Sequence, residues 1–223
     1  MSRRECWIHV VVEGTPSPLS SMVNTPARSA APEAPREDAD IEQLIERGQY
    51  QDAVKRLMER YGERVYRFAH AMTRNAAQAE DVRQQVFIEA FRDFARFERR
   101  SSLRTWLFGI VRHRCLDASK IQRRWWRRFK NDPPDEPELE PPDLDQSRIA
   151  RLLHECLAKL APRAREAVVL RYIEELAYEQ AAEITGELAG TLQQRVGRAL
   201  PVLRRCVDSK LRDRPANGGS HEV

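Results

Sequence analysis

The densest run of anion-binding groups in the chain is Arg123-Arg124-Trp125-Trp126-Arg127-Arg128-Phe129-Lys130. Guanidinium groups neutralise phosphate, and the aromatic faces between them can stack on bases or cations. From the residues alone, this run holds a nucleic-acid backbone, packs on a neighbouring helix, or lies under a partner. A second polar group is Glu98, Arg99, Arg100, Ser101 and Arg104, with Arg112, His113 and Arg114 one to two helical turns further on. A third is Thr191, Gln193, Gln194, Arg195 and Arg198. Glutamine can pair bidentately with adenine, and arginine with guanine, in the DNA major groove. The sequence carries no glycine-rich phosphate loop, no nucleophile elbow and no His-Glu zinc motif, so an enzyme is the least supported class.

Cys6, Cys115, Cys156 and Cys206 are scattered, with no Cys-x-x-Cys pair. His154 and Cys156 stand two apart on a predicted helix, so they point to different faces and chelate poorly. Neither a metal nor another cofactor is expected. Lone thiols of this kind suit a reducing cytoplasm, the expected location.

These groups need a helical frame. The chain has 223 residues, of which 41% are hydrophobic and 32% charged, with only 9 glycines. That balance favours helices over sheets. A net charge of +4 is too small to prove nucleic-acid binding by itself, so placement of the charge decides. The expected fold is all-α: two small helical domains joined by an acidic, proline-rich linker, the second containing a helix-turn-helix. The divisions are an extension over 1–40, a first domain over 41–130, a linker over 131–146, a second domain over 147–212 and a tail over 213–223. The extension and tail, polar and poor in core residues, are expected to be disordered. Pro133, Pro134, Pro137, Pro141 and Pro142 among acidic residues keep the linker extended. Trp7 to Val12 is too short for a signal peptide and contains His9. No stretch is long enough to insert into a membrane. Met22 is an alternative start, which would leave residues 1–21 untranslated.

Leu57, Tyr61, Val65, Phe68 and Met72 recur on one helix face, and Asn75 is expected to end that helix. The next helix, from about Ala77, turns Ala79, Val82, Val86, Phe87, Ala90, Phe91 and Phe94 inward and leaves Asp81, Gln84, Gln85 and Arg92 on the other side. Ser101 or Ser102 can cap a third helix that buries Leu103, Trp106, Leu107, Ile110 and Val111. In the second domain, Ile149 to Leu160 forms one helix, and Pro162 suits the first turn of another carrying Val168, Val169, Tyr172 and Ile173. Tyr178 to Thr185, the turn at Gly186 and a helix from about Gly190 form the helix-turn-helix. In the last helix Leu192, Val196, Ala199 and Leu203 face inward, while Thr191, Gln194, Arg195 and Arg198 face outward. Pro201 is expected to kink or end it near Ala199.

The run from Ala79 to Phe91, with Phe97 and Ser101 to Arg112, resembles the polymerase-binding helix and adjoining elements of the bacterial extracytoplasmic-function (ECF) sigma factors, a class of alternative sigma factor. Leu170-Arg171-Tyr172, Tyr178 to Ile184, Gly186 and Gly190-Thr191 resemble that family's promoter-reading helix-turn-helix. The likeness covers roughly residues 45 to 210. It implies that Asp81, Gln84, Gln85 and Arg92 dock on core RNA polymerase. It implies also that Arg99, Arg100, Ser101, Arg104, Arg112, His113, Arg123 and Arg124 contact the minus-ten and melted promoter strand. Thr191, Gln193, Gln194, Arg195 and Arg198 would then read the upstream element, the acidic linker would thread the polymerase cleft, and an anti-sigma factor or other regulator would be a further partner.

The sequence departs from the family pattern at Gln85, His113, Glu187, Gln193, Gln194, Gly197 and Pro201. Gly197 and Pro201 keep open a sigma-like interaction protein that no longer reads promoters; a helix-turn-helix regulator that binds DNA without polymerase is a second alternative, which leaves the first domain unexplained.

Overall fold

The computed structural model describes residues 37–129 and 144–212, with side chains over 37–120 and 151–212. The extension to residue 36, most of the acidic linker and the tail from residue 213 lie outside the described residues. Among the described residues all regular structure is helical. The elements are α1 (Ala39–Glu46), α2 (Tyr50–Thr73), α3 (Ala76–Asp93), α4 (Leu103–Phe129), α5 (Leu144–Ala158), α6 (Pro162–Val168), α7 (Tyr178–Thr185) and α8 (Ala189–Arg212). No described helix is long and apolar enough to cross a membrane.

Helix α1 starts inside the segment expected to be an extension, because charge pins it to α2. The Tyr61 hydroxyl donates to the buried Asp38 carboxylate at 2.8 Å, and Arg60 forks onto Asp40 with two bonds of 2.9 Å. Burial and the Asp38 charge push the Tyr61 phenol well above its usual range, so it remains a donor. Gly48 turns the chain at φ +72°, a left-handed geometry that costs glycine little.

The core of the first domain follows the expected periodicity. Leu57, Tyr61, Val65 and Phe68 are fully buried against Val86, Leu103, Leu107 and Phe108. Each such side chain contributes about 1.5–3 kcal/mol on leaving water. Arg74, at φ +59°, terminates α2, while Asn75 has a different task from the one expected. Its side chain accepts the Gln78 amide at 2.7 Å and so caps α3. Phe91 also departs from expectation, being 39% exposed. The buried arc of α3 centres on Ala79, Val82, Val86 and Ala90, and at about 100° per residue Phe91 falls outside it. Ser102 caps α4, accepting the Thr105 amide at 3.1 Å. Trp106 packs on Phe97 and Phe94 at centroid distances of 5.2 and 6.0 Å, so it belongs to the wall of the domain.

In the second domain α5 begins at Leu144, three residues before the boundary expected at 147, inside the segment expected to be linker. Pro162 opens α6, where its missing N–H leaves no bond unmade. The helix then passes into a π-helical turn, Val169–Ile173, in which the Glu174 amide reaches back five residues to the Val169 carbonyl at 2.9 Å. Helix α7 ends at Gly186, φ +70°. Helix α8 buries Leu192, Val196, Ala199, Leu203 and Val207 and, contrary to expectation, runs unbroken past Pro201. A proline ring crowds the carbonyl four residues earlier. That residue is Gly197, exposed and with open space around it, which leaves the carbonyl free to tilt aside.

Cys156 and Cys206 are joined by a disulfide, with Cα atoms 5.7 Å apart, which overturns their reading as lone thiols. They are 50 residues apart in sequence, and helical phase alone does not show that α5 and α8 lie side by side. Lys210 and Glu155 pair beside the same junction.

The two domains pack against each other. The Arg165 side chain, 5% exposed, lies where the C-terminal ends of α5 and α2 meet. It donates to the carbonyls of Leu157 (3.0 Å), Ala158 and Leu160 (3.2 Å), Ala71 (3.3 Å) and Met72 (3.4 Å). Two negative helix ends thus share one buried cation.

Candidate functional site

The outward face of α3 carries Asp81, Gln84, Gln85 and Arg92, all exposed. They lie opposite the buried arc, so the interactions that hold the helix in the core also fix their direction. Arg83 donates to Glu80 at 2.7 Å and Gln84 to the same oxygen at 3.3 Å, which holds the Glu80 carboxyl below its usual range. Ile88, 44% exposed, sits in the middle of this polar face and was not singled out from the sequence. Its signal was a lone apolar residue between Gln84 and Arg92, which a search for the inward stripe passes over. An exposed carboxylate and amides around one apolar centre suit a helical partner carrying basic residues.

The residues expected to contact a melted strand are divided by the structure. Arg100 is 85% exposed beside Glu98, and His113 is exposed, 3.7 Å from Asp117. Arg99 sits at φ +57° and turns back onto α1, bonding to Glu46 and to the Glu42 carbonyl at 3.2 Å. Ser101 lines an open recess with Glu89, Thr105, Trp106 and His113, and that recess is completed by Glu183 and Ile184 of α7. Arg112 donates to Glu166 of α6 at 2.7 Å. Arg104 is half-buried at the domain junction, where its Nε and Nη2 have no hydrogen-bond partner. Desolvation and the nearby Arg64 charge lower the Arg104 pKa. Arg123 and Arg124 continue α4, and their side chains lie outside the described residues, as do those of Trp125 and Trp126.

Across the same junction, Arg64 of α2 donates to the Glu174 carboxylate at 3.0 Å and to its backbone carbonyl at 3.2 Å. Glu174 is 0% exposed. Burial pushes its carboxyl above the usual range, partly offset by Arg64, Arg104 and Arg67. Sequence reasoning singled out neither Arg64 nor Glu174, because no pattern links two positions 110 residues apart.

On α8, Thr191, Gln193, Gln194 and Arg198 are exposed. Arg195, expected to face outward, is instead held 2.6 Å from Glu187 in the turn, with the two side chains 22% and 21% exposed. Of the residues expected to read DNA, one exposed arginine remains, Arg198, with two glutamines and a threonine between it and the turn. Among the described residues no group of three or more potential ligands could hold a metal ion.

The Sigma-70 region 2 family model matches residues 57–127, and the Sigma-70 region 4 model matches residues 150–200. The RNA polymerase sigma factor CarQ of Myxococcus xanthus is 32% identical over 154 residues, covering 69% of this chain and 88% of that protein. The ECF RNA polymerase sigma factor SigX of Bacillus subtilis is 28% identical over 156 residues, covering 67% and 80%. Among solved structures, the sigma factor RpoE in complex with the anti-sigma factor NepR from Bartonella quintana superposes with a TM-score of 0.62. That match has 25% identity and covers 69% of this chain and 96% of that one.

Proposed function

The chain belongs to the sigma-70 family, as an alternative sigma factor of the ECF type that directs RNA polymerase to promoters, and on that premise we propose which residues do the work. The observation that carries the proposal is the exposed face of α3, where Asp81, Gln84, Gln85 and Arg92 surround Ile88. These five residues dock on core polymerase. Arg100, Ser101 and His113 meet the melted promoter strand, joined by Arg104 and Arg112 once the domains part, and by Arg99, Arg123 and Arg124. Thr191, Gln193, Gln194 and Arg198 read the upstream element, with Arg195 available when it leaves Glu187. The protein works in the cytoplasm, contributes binding rather than bond chemistry, and is held in check by an anti-sigma factor, in line with the RpoE–NepR complex.

Run-off transcription with purified core polymerase on genomic fragments tests this directly. Discrete start sites that require the chain are expected. Binding to core without any start site would favour the interaction-protein alternative.

A further inference from the structure

We infer that Arg64, Arg67 and Arg104 form a phosphate pocket for a single DNA strand on the first domain, and that Glu174 of the second domain occupies it as an internal substitute. The inference rests on the sigma-factor reading and concerns how that same surface is regulated.

The composition of the junction is unbalanced. One buried carboxylate, that of Glu174, is bonded to Arg64 and lies within electrostatic reach of Arg104 and Arg67. Only Arg64 bonds to it directly, at 3.0 Å. The Nε and Nη2 of Arg104 are buried without a hydrogen-bond partner, and the Glu174 Oε1 is also unmatched; the Nε of Arg67 has no hydrogen bond, and its nearest carboxylate is that of Glu63 at 3.9 Å. Buried charged donors without acceptors are costly. A group with more oxygens and more charge than one carboxylate would satisfy them better. A DNA phosphodiester, flanked by its neighbours along the strand, is such a group, and planar guanidinium forks match it.

The closed arrangement covers the surface in three places at once. Glu174 fills the arginine pocket, Glu166 holds Arg112 at 2.7 Å, and Glu183 with Ile184 walls the Ser101 recess. Three acidic residues of the second domain therefore lie where a polyanion would lie on the first. The chain by itself binds DNA weakly because it must first give up these contacts, and its apparent affinity falls by the fraction of molecules that are open.

The test uses the full chain without polymerase and a fluorescent twelve-nucleotide thymidine strand, titrated over a range of salt. Glu174→Gln keeps the shape and removes the charge. It is expected to tighten binding about tenfold, the factor for a pocket that is about nine-tenths closed, and to steepen the salt dependence. Glu166→Gln, which loosens the same junction away from the pocket, is expected to tighten binding too, and it serves if Glu174→Gln does not fold. Adding Arg64→Ala to Glu174→Gln should abolish most of the gain. Unchanged affinity in the folded single variants, or a gain that survives Arg64→Ala, overturns the proposal. Failure of the wild-type chain in run-off transcription would instead overturn the reading beneath it, so the two failures are distinguishable.

Discussion

His154 of α5 lies flat on His70 of α2, the ring centroids 4.2 Å apart and the planes inclined by 17°. The pair joins the two domains, and it makes the junction sensitive to pH. Burial, then the charges of His70, Arg165 and Arg74, lower His154 from 6.5 to about 4. An exposed histidine takes up its proton near pH 6.5, the buried one only near 4. The open form therefore binds more protons in that window, and closure weakens as pH falls through it. Above pH 6.5 the contact has its full strength. Glu174, raised by burial, acts in the opposite sense, so the quantity to read is a difference. Fluorophores on the two domains should separate more between pH 6.5 and 4 in wild type than in His154→Phe. Identical profiles would rule out His154 as the cause.

Reversing Asp81 to Arg should weaken binding to core polymerase by several kcal/mol (roughly the scale of like charges forced together in an interface). Asp81 is exposed, so the variant should fold as wild type does. Ile88→Ala should weaken the same complex by a smaller amount, on the order of 1–2 kcal/mol. Pull-down with core enzyme checks both, and full retention of binding by both would remove this face from the interface.

On the recognition helix, Arg198→Ala should cost about 1–3 kcal/mol in upstream-element binding if it pairs with a guanine. Arg195→Ala should cost less, because that side chain must first leave Glu187. Glu187→Ala should then strengthen binding by freeing it. Footprinting of holoenzyme on a promoter series measures all three. A loss rather than a gain for Glu187→Ala would mean that the ion pair positions Arg195 for reading.

The disulfide closes a loop of 50 residues. Chain-entropy arguments give about 4 kcal/mol for such a loop. Reduction, or Cys206→Ser, should lower the Tm of the second domain while leaving that of the first nearly unchanged. Equal Tm values with and without reductant would show that the bridge does not contribute.

The faces of the helices were legible in the sequence because periodicity reports direction around an axis. Leu57, Tyr61, Val65 and Phe68, and later Leu192, Val196, Ala199 and Leu203, all lie inward as their spacing requires. Phe91 was misread because a four-residue step from Phe87 drifts by about 40°, enough to carry an edge position into solvent. What lies opposite a face was not legible. Cys156 with Cys206, Arg64 with Glu174 and Arg195 with Glu187 are each decided by how elements dock, and docking leaves no periodic trace. The same blindness explains why Arg104 and Arg112, read as outward donors, turn out to serve the domain junction.

The π-helical turn at Val169–Ile173 carries a mechanical meaning. Each residue of a helix advances the chain by about 100° around the axis, so the residue accommodated in a wide turn acts as a phase shift. Val168 before it and Val169 and Leu170 at its start are buried, and Glu174 emerges after it bonded to Arg64. Removing one residue from that turn would keep every side-chain type while rotating Glu174 by more than a quarter of a circle. The junction is thus tuned by the length of a segment as well as by its chemistry, and a one-residue deletion could convert a closed protein into an open one.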